Sequence, residues 1–174
     1  MIKKILILLL ILSFSVPAFA KKSQEEDIIT PMVQLQKRQF QTKDYSVSEK
    51  NNVMKAILNV LQDEGYIIYS ANSLLGFIYG IKDFDTSDSN VDISKEFGLS
   101  KSRLNLNGIK VATLEVNANV TEYGNTLRVR VNFKRKLLNT YGNAQFIDDV
   151  SDEDFYKDFY KKVDQSLFLQ KQKI

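Results

Sequence analysis

The sequence predicts an α+β domain in which an antiparallel sheet of four to five strands carries two amphipathic helices on one face. Two neighbouring segments between residues 111 and 134 alternate apolar and polar side chains with period two, which is typical of strands. Two other segments, at 49–65 and 151–170, repeat apolar residues at helical spacing. The predicted order is β-α-β-β-loop-β-β-α.

The N-terminal residues predict a secretory signal peptide over 1–20. A positively charged start is followed by the aliphatic run 5–12 and by a small-x-small pattern that ends at Ala20, where we expect cleavage. The apolar run is shorter than the ~20 residues that span a bilayer. We expect a flexible leader over 21–30, a single domain over 31–174, and secretion into the periplasm. No cysteine follows the run, so any membrane association must be non-covalent.

The charge balance argues against partners that are bound by bulk electrostatics. Without the predicted signal peptide, the 24 basic residues fall to 22 against 21 acidic ones. A net charge near zero disfavours nucleic acid. We therefore expect no nucleic-acid partner. Independently of the charge, we expect no transmembrane segment once the signal peptide is removed.

The chain contains neither cysteine nor histidine. These absences exclude disulfides, Cys-His and Ser-His-Asp nucleophiles, and nearly all zinc or copper sites. We expect a non-enzymatic protein without a cofactor. An enzyme that works with carboxylates, serine or lysine alone is a remaining alternative.

The first elements are predicted from local patterns. Pro31–Phe40 alternates weakly and predicts a first strand. Ser46 and Glu49 fit a capping box that would start a helix, and Gly65 is placed to end that helix in a left-handed conformation. The apolar stripe of the helix comprises Val53, Met54, Ile57, Leu58, Val60 and Leu61.

The middle of the chain predicts a hairpin or one bent strand, followed by a long loop. The segments 66–70 and 74–82 are aromatic and β-branched, and a turn separates them. Gly76 and Gly80 within the second segment indicate a bulge, a bend or a close backbone approach. The polar stretch 83–109 predicts a mobile loop with one short helical turn.

Two clean strands and a helix complete the predicted fold. Residues 111–121 and 127–134 form a hairpin with one wet face, in which the outward side chains are polar. Ser151 is the predicted N-cap of the closing helix, followed by acidic residues. The inner stripe of that helix comprises Phe155, Phe159, Val163 and Leu167, flanked by Tyr156 and Tyr160.

Three groups of residues are candidate sites. The outward face of the hairpin is a candidate partner surface, although ordinary cross-strand charge pairing on a solvated sheet is the favoured explanation. Its residues are Glu115, Asn117, Arg128, Arg130 and Lys134. A candidate ligand cavity beneath the long loop is lined by Phe77, Tyr79 and Phe133. The aspartates at 83, 85, 88 and 92 lack the glycine and glutamate spacing of an EF-hand, so a calcium loop is not expected.

Several segments resemble a family of small bacterial exported proteins, many of them lipoproteins of unknown function. They are Arg38-Gln39-Phe40, AILNVLQDEGY at 56–66, Leu75-Gly76, Lys82 and FYKDFYKKVDQSLFL at 155–169. The resemblance implies export and gives no catalytic residues. This chain departs from the lipoproteins because it lacks the acylated cysteine.

These observations favour an interaction or assembly factor of the bacterial cell envelope that binds another envelope protein. The alternative is a binding module for a small lipid or metabolite.

Overall fold

A computed structural model describes residues 31–46, 49–86, 92–97 and 108–172 of the chain. The predicted signal peptide and leader lie outside these residues. The described residues form four helices, α1 to α4, at Pro31–Phe40, Lys50–Asp63, Ile93–Glu96 and Glu153–Lys171. They form six strands, β1 to β6, at Thr42–Ser46, Ile67–Asn72, Phe77–Asp85, Ile109–Tyr123, Thr126–Asn139 and Ala144–Asp149.

All six strands belong to one antiparallel sheet, which confirms the predicted α+β class. Five of them follow the order β1-β5-β4-β3-β2, and β6 pairs with β5 outside this order. The long strand β5 pairs with β4 along one side. Its other side is shared, because β1 pairs with the first part of β5, where Thr42 faces Arg130, and β6 pairs with the last part, where Leu137 faces Phe146. The sheet therefore has one more strand than the upper predicted number.

One face of the sheet, here called the inner face, carries the core. The alternating residues that were predicted to point inward on β4 and β5 are buried. Helices α2 and α4 pack against this face and against each other, and Lys162 of α4 forms an ion pair with Glu64 at the end of α2. The buried residues of the two strands are Ala112, Leu114, Val116, Ala118, Val120, Leu127, Val129, Val131 and Phe133.

The predicted strand Pro31–Phe40 is wrong, because this segment is helix α1. Its glutamines, lysine and arginine have high helix propensity, and that propensity outweighs a weak alternation. The ring of Phe40 packs 5.2 Å from that of Tyr156 on α4. The edge strand of the sheet follows as β1, in which Tyr45 is the buried residue.

The predicted capping box at the start of α2 is also wrong. Ser46 is the last residue of β1, and Glu49 is the N-cap residue without a side-chain cap hydrogen bond. The other end agrees with the prediction, since Gly65 follows α2 with φ of 86°.

Of the two predicted alternatives, the structure forms the hairpin β2–β3, and its turn lies at residues 73–76 rather than at the predicted 71–73. Beyond the turn, β3 continues to Asp85, so the loop that was predicted over 83–109 begins only after Asp85. The short helix α3 supplies the predicted helical turn, and Asp92 caps it. Residues 87–91 and 98–107 of that loop lie outside the described residues.

The C-terminal part contains a strand that the sequence did not predict. Ala144–Asp149 pairs with β5 as β6 and is exposed along most of its length. Asp152 rather than Ser151 caps α4, because its carboxylate accepts hydrogen bonds from the backbone N–H groups of Asp154 and Phe155. In the described part of the chain, no helix has the length and apolar character needed to cross a bilayer.

Candidate functional site

The second face of the sheet, here called the open face, carries the side chains that alternate with the core residues of β3, β4 and β5. All five residues predicted as a partner surface lie on it. Glu115 is directly opposite Lys134, and Asn117 is opposite Asn132. Arg128 and Arg130 continue the same face along β5. The structure thus brings the predicted residues together on two neighbouring strands.

Two of the five residues are engaged within the protein. Arg128 forms a bidentate ion pair with Asp44 of β1, in which both nitrogen–oxygen distances are 2.9 Å. This hydrogen bonding lowers the pKa of the Asp44 carboxyl. Glu115 pairs with Lys136, its diagonal neighbour on β5. For Arg128 and Glu115, cross-strand charge pairing is therefore the observed role.

Arg130 and Lys134 differ from these neighbours. Both side chains are exposed, and neither forms an ion pair with any residue that the structure describes. Lys134 follows Arg130 by four positions on one strand, which places the two Cα atoms about 13 Å apart. The amide side chain of Asn132 lies between them. Lys134 lies directly opposite Glu115 of β4 and Asp149 of β6 without an ion pair to either. Among the described residues, the open face thus carries two cations, Arg130 and Lys134, that have no ion-pair partner; they are called the free cations below.

Aromatic residues border the free cations on the β2–β3 side. The ring of Tyr79 lies 6.2 Å from that of Tyr69 on the edge strand β2. Tyr69 is 63% exposed and Ile67 is 65% exposed, so this border is available to a partner. Burial, followed by the charge of Glu115, raises the pKa of the Tyr79 hydroxyl.

Phe77 and Tyr79 lie on the open face, whereas Phe133 lies on the inner face. The predicted cavity lined by all three is therefore wrong. Strand β3 has apolar residues on both faces, so its sequence shows no alternation that fixes its orientation. Ile78 and Phe84 take the inner positions, and period-two geometry turns Phe77 and Tyr79 outward.

Phe133 instead borders a cavity of about 80 Å³ between the sheet, the end of α2 and α4. Its aromatic lining comprises Phe133, Tyr66, Phe155 and Phe159, and its charged lining comprises Glu64, Lys82, Glu96, Asp158 and Lys162. No local sequence pattern indicates this group, because its members come from the connection between α2 and β2, from β3, α3 and β5, and from α4. Only the tertiary fold brings them together.

The aspartates considered for calcium serve other roles where the structure describes them. Asp83 accepts a hydrogen bond from the Thr113 hydroxyl at 2.7 Å, and Asp92 caps α3. Asp88 lies outside the described residues. Within the described ranges, no group of three or more carboxylates is arranged to hold a metal ion.

Comparison with known proteins does not assign the chain to a family. No protein-family model matches the chain, and a search of curated proteins finds no match either. The resemblance to exported bacterial proteins stays a prediction from the sequence.

Proposed function

We propose that the chain is an exported, non-enzymatic binding protein of the bacterial cell envelope, and that its open face docks an acidic segment of another envelope protein. The observation that carries this proposal is the pair of exposed cations, Arg130 and Lys134, which form no ion pair with a described residue, whereas Arg128 and Lys136 on the same face do. The predicted signal peptide supports the location, and the absence of cysteine and histidine supports a binding role.

An acidic ligand can pair with these two cations without breaking an existing ion pair. Arg128 and Lys136 already have carboxylate partners, so the attraction for an incoming anion is concentrated on Arg130 and Lys134. The amides of Asn117 and Asn132 offer hydrogen bonds to a backbone laid across the strands. Such charge complementarity increases the rate of association and selects the partner.

The aromatic border adds contact area to the cations. Tyr and Arg are enriched among the residues that dominate binding energy at protein interfaces. Tyr69 and Tyr79 flank the amide positions, and both rings already contact each other, which reduces the conformational entropy lost on binding. The partner chemistry that fits is an extended acidic segment with an apolar side chain beside its carboxylates.

Charge reversal at the two free cations tests the proposal. We expect Arg130→Glu combined with Lys134→Glu to weaken binding of a fluorescein-labelled deca-glutamate peptide to residues 21–174 by about tenfold, measured by anisotropy. The matched control is Lys55→Glu with Lys161→Glu, because these exposed helix lysines also form no described ion pair. Equal binding by the two double variants would overturn the proposal.

The partner itself is sought with a photo-crosslinking amino acid at Asn132 in the envelope of the producing cell. A supporting product contains an acidic segment and disappears in the Arg130→Glu, Lys134→Glu background. A product that persists in that background counts against the open face as the docking surface.

Mass spectrometry of the exported protein is expected to show Lys21 as its first residue, and an intact residue 1–20 segment contradicts export by a cleaved signal.

A further inference from the structure

We infer that two copies of the chain pair through the edge strand β2 and form an antiparallel dimer with one continuous sheet. β2 ends the strand order of the sheet, so only one of its two sides pairs with a described strand, which is β3. The inference does not rest on the proposed docking of an acidic segment, because the free cations lie on β5. Three features of β2 support it, namely its lack of charge, its exposed apolar side chains and its small central residues.

The strands at the margins of the sheet differ in charge. β1 carries Lys43 and Asp44, and β6 carries Asp148 and Asp149. Charged side chains on an edge strand disfavour pairing with another chain. β2 has the sequence IIYSAN and contains no charged residue. Its open side can therefore meet the same strand of a second copy without repulsion between like charges.

Exposed apolar side chains concentrate on β2 and on the turn that follows it. Ile67 and Tyr69 are exposed on the strand, and Leu74 and Leu75 are 89% and 71% exposed on the turn. The side-chain oxygen of Asn72 accepts a hydrogen bond from the backbone N–H of Leu75 at 2.9 Å, which holds the turn in place. Exposed apolar side chains that lie together in this way are typical of a protein interface.

The exposed area is sufficient for a weak dimer. Each of these four apolar side chains exposes on the order of 100 Å². Two copies therefore contribute roughly 800 Å² from these side chains, and contact between the two backbones brings the total near the ~1,000 Å² of a specific interface. Because this area is at the lower limit for a stable contact, we expect monomer and dimer to exchange.

The middle of β2 sets the register of the pairing. A bulge interrupts the regular ladder before Ser70, and the regular part that follows is Ser70–Asn72. Its side chains are small or amide groups, so two backbones can approach to the ~4.8 Å spacing of paired strands. An antiparallel arrangement with its two-fold axis at Ala71 places Ser70 of each copy opposite Asn72 of the other. The same arrangement directs Tyr69 of each copy toward the exposed leucines of the other, so both copies supply the same apolar surface.

The dimer doubles the open face. In such a pair of antiparallel strands the two-fold axis is perpendicular to the sheet, so the open faces of both copies point to the same side. A partner with two acidic segments can then contact both pairs of free cations at once, with higher avidity than a single segment.

Sedimentation velocity of residues 21–174 tests the inference. We expect a dimer at about 100 μM that dissociates on dilution to about 1 μM, as the size of the interface predicts. Ala71→Lys places two lysines beside the axis, and we expect it to weaken the dimer at least about tenfold. Ala144→Lys is the matched control, because Ala144 is also an exposed alanine on a marginal strand, β6. A wild-type monomer at about 100 μM would overturn the inference, as would equal effects of the two substitutions.

A single cysteine locates the axis. The chain contains no cysteine, so the thiol introduced by Ala71→Cys can form a disulfide only with that of a second copy. Residues directly opposite each other on antiparallel strands have Cα atoms about 4.5–5.5 Å apart, a distance that a disulfide spans. We expect copper phenanthroline to cross-link Ala71→Cys at least about tenfold faster than the control Ala144→Cys, because pairing raises the local thiol concentration.

Equal cross-linking rates would show random collision and would overturn pairing through β2, even where Ala71→Lys does not fold. A wild-type monomer that still binds the deca-glutamate peptide would contradict the dimer and leave the docking proposal intact. A dimer that does not bind this peptide would have the opposite meaning.

Discussion

Gly76 marks a point where two backbones meet too closely for a side chain. It ends the β2–β3 turn with φ of 69°, and its carbonyl accepts a hydrogen bond from Val120 N at 2.7 Å. A Cβ atom added at this position would lie 2.0 Å from the Val120 carbonyl oxygen. Both the conformation and the contact therefore require glycine. The sequence left a bulge, a bend or a close backbone approach open at this glycine, and it did not indicate Val120 as the partner because Val120 is distant in the chain.

Gly76→Ala is expected to lower the free energy of unfolding by about 3 kcal/mol, the sum of left-handed strain and overpacking. The control is Gly124→Ala, since Gly124 has φ of 59° but open space around its Cβ position. Its expected loss is only about 1 kcal/mol. Urea denaturation of both variants measures the difference, and equal losses would show that the Val120 contact relaxes at no cost.

At the scale of elements, the helix starts are set by single residues that the sequence pattern does not distinguish. Ser151 and Asp152 are adjacent, and both residue types favour the N-cap position. The chain leaves β6 at Asp149, and Val150 is fully buried, with its N–H donating to the Phe133 carbonyl oxygen. That anchor fixes where α4 begins and selects Asp152.

Asp152→Ala is expected to cost about 1 kcal/mol of stability, because two N-terminal amides of α4 lose their acceptor. Ser151→Ala is the control, and its expected effect is within about 0.5 kcal/mol. Thermal or urea unfolding followed by circular dichroism compares the two. A larger loss for Ser151→Ala would show that the serine contributes more to this helix start than its contact with the Asp149 carbonyl indicates.

The central elements could be predicted from the sequence, and the edge elements could not. β4 and β5 have one buried and one exposed face, so period-two alternation reveals both the strands and their orientation. α2 and α4 also have one buried and one exposed face, so their apolar residues recur at helical spacing and reveal the helices. By contrast, β6 is mostly exposed and β1 buries little beyond Tyr45, so neither strand shows a clear pattern.

The candidate sites follow the same division. The open-face residues were predicted because they alternate with core residues on the same strands. The cavity beside Phe133 was not predicted, because its aromatic and charged residues come from five parts of the chain. Contacts of this kind depend on how the helices are placed on the sheet, and no local pattern records that placement.

For the molecule as a whole, stability toward alkali depends on buried tyrosines. Burial is the main cause that raises the pKa values of Tyr45, Tyr66, Tyr156 and Tyr160 above the ordinary value of 10.0. Tyr156 also holds the core together, because its hydroxyl accepts from Phe133 N and donates to the Val150 carbonyl. Ionisation of these phenols therefore favours the unfolded chain.

We expect the free energy of unfolding to fall as the pH rises above about 10. Below this pH both states keep the phenol protons, so the contribution is fully present. Above it the unfolded chain loses protons that the folded chain retains, and each such tyrosine removes about 1.4 kcal/mol per pH unit. Urea denaturation between about pH 8 and about pH 11 measures this slope, and a flat profile would contradict the burial of the hydroxyls.

The shared use of β5 determines the order in which the protein can fold. β1 finds its partner only when Arg130 and its neighbours are present, more than 80 residues after Thr42 in the chain. The surface on which α2 and α4 pack is also incomplete without β5. A nascent chain that ends before this strand therefore leaves β1 without a partner, and only β2, β3 and β4 are present to form the surface on which α2 packs. Folding thus waits for contacts between distant parts of the sequence, and we expect it to be slower than that of helical bundles, whose contacts are mostly local.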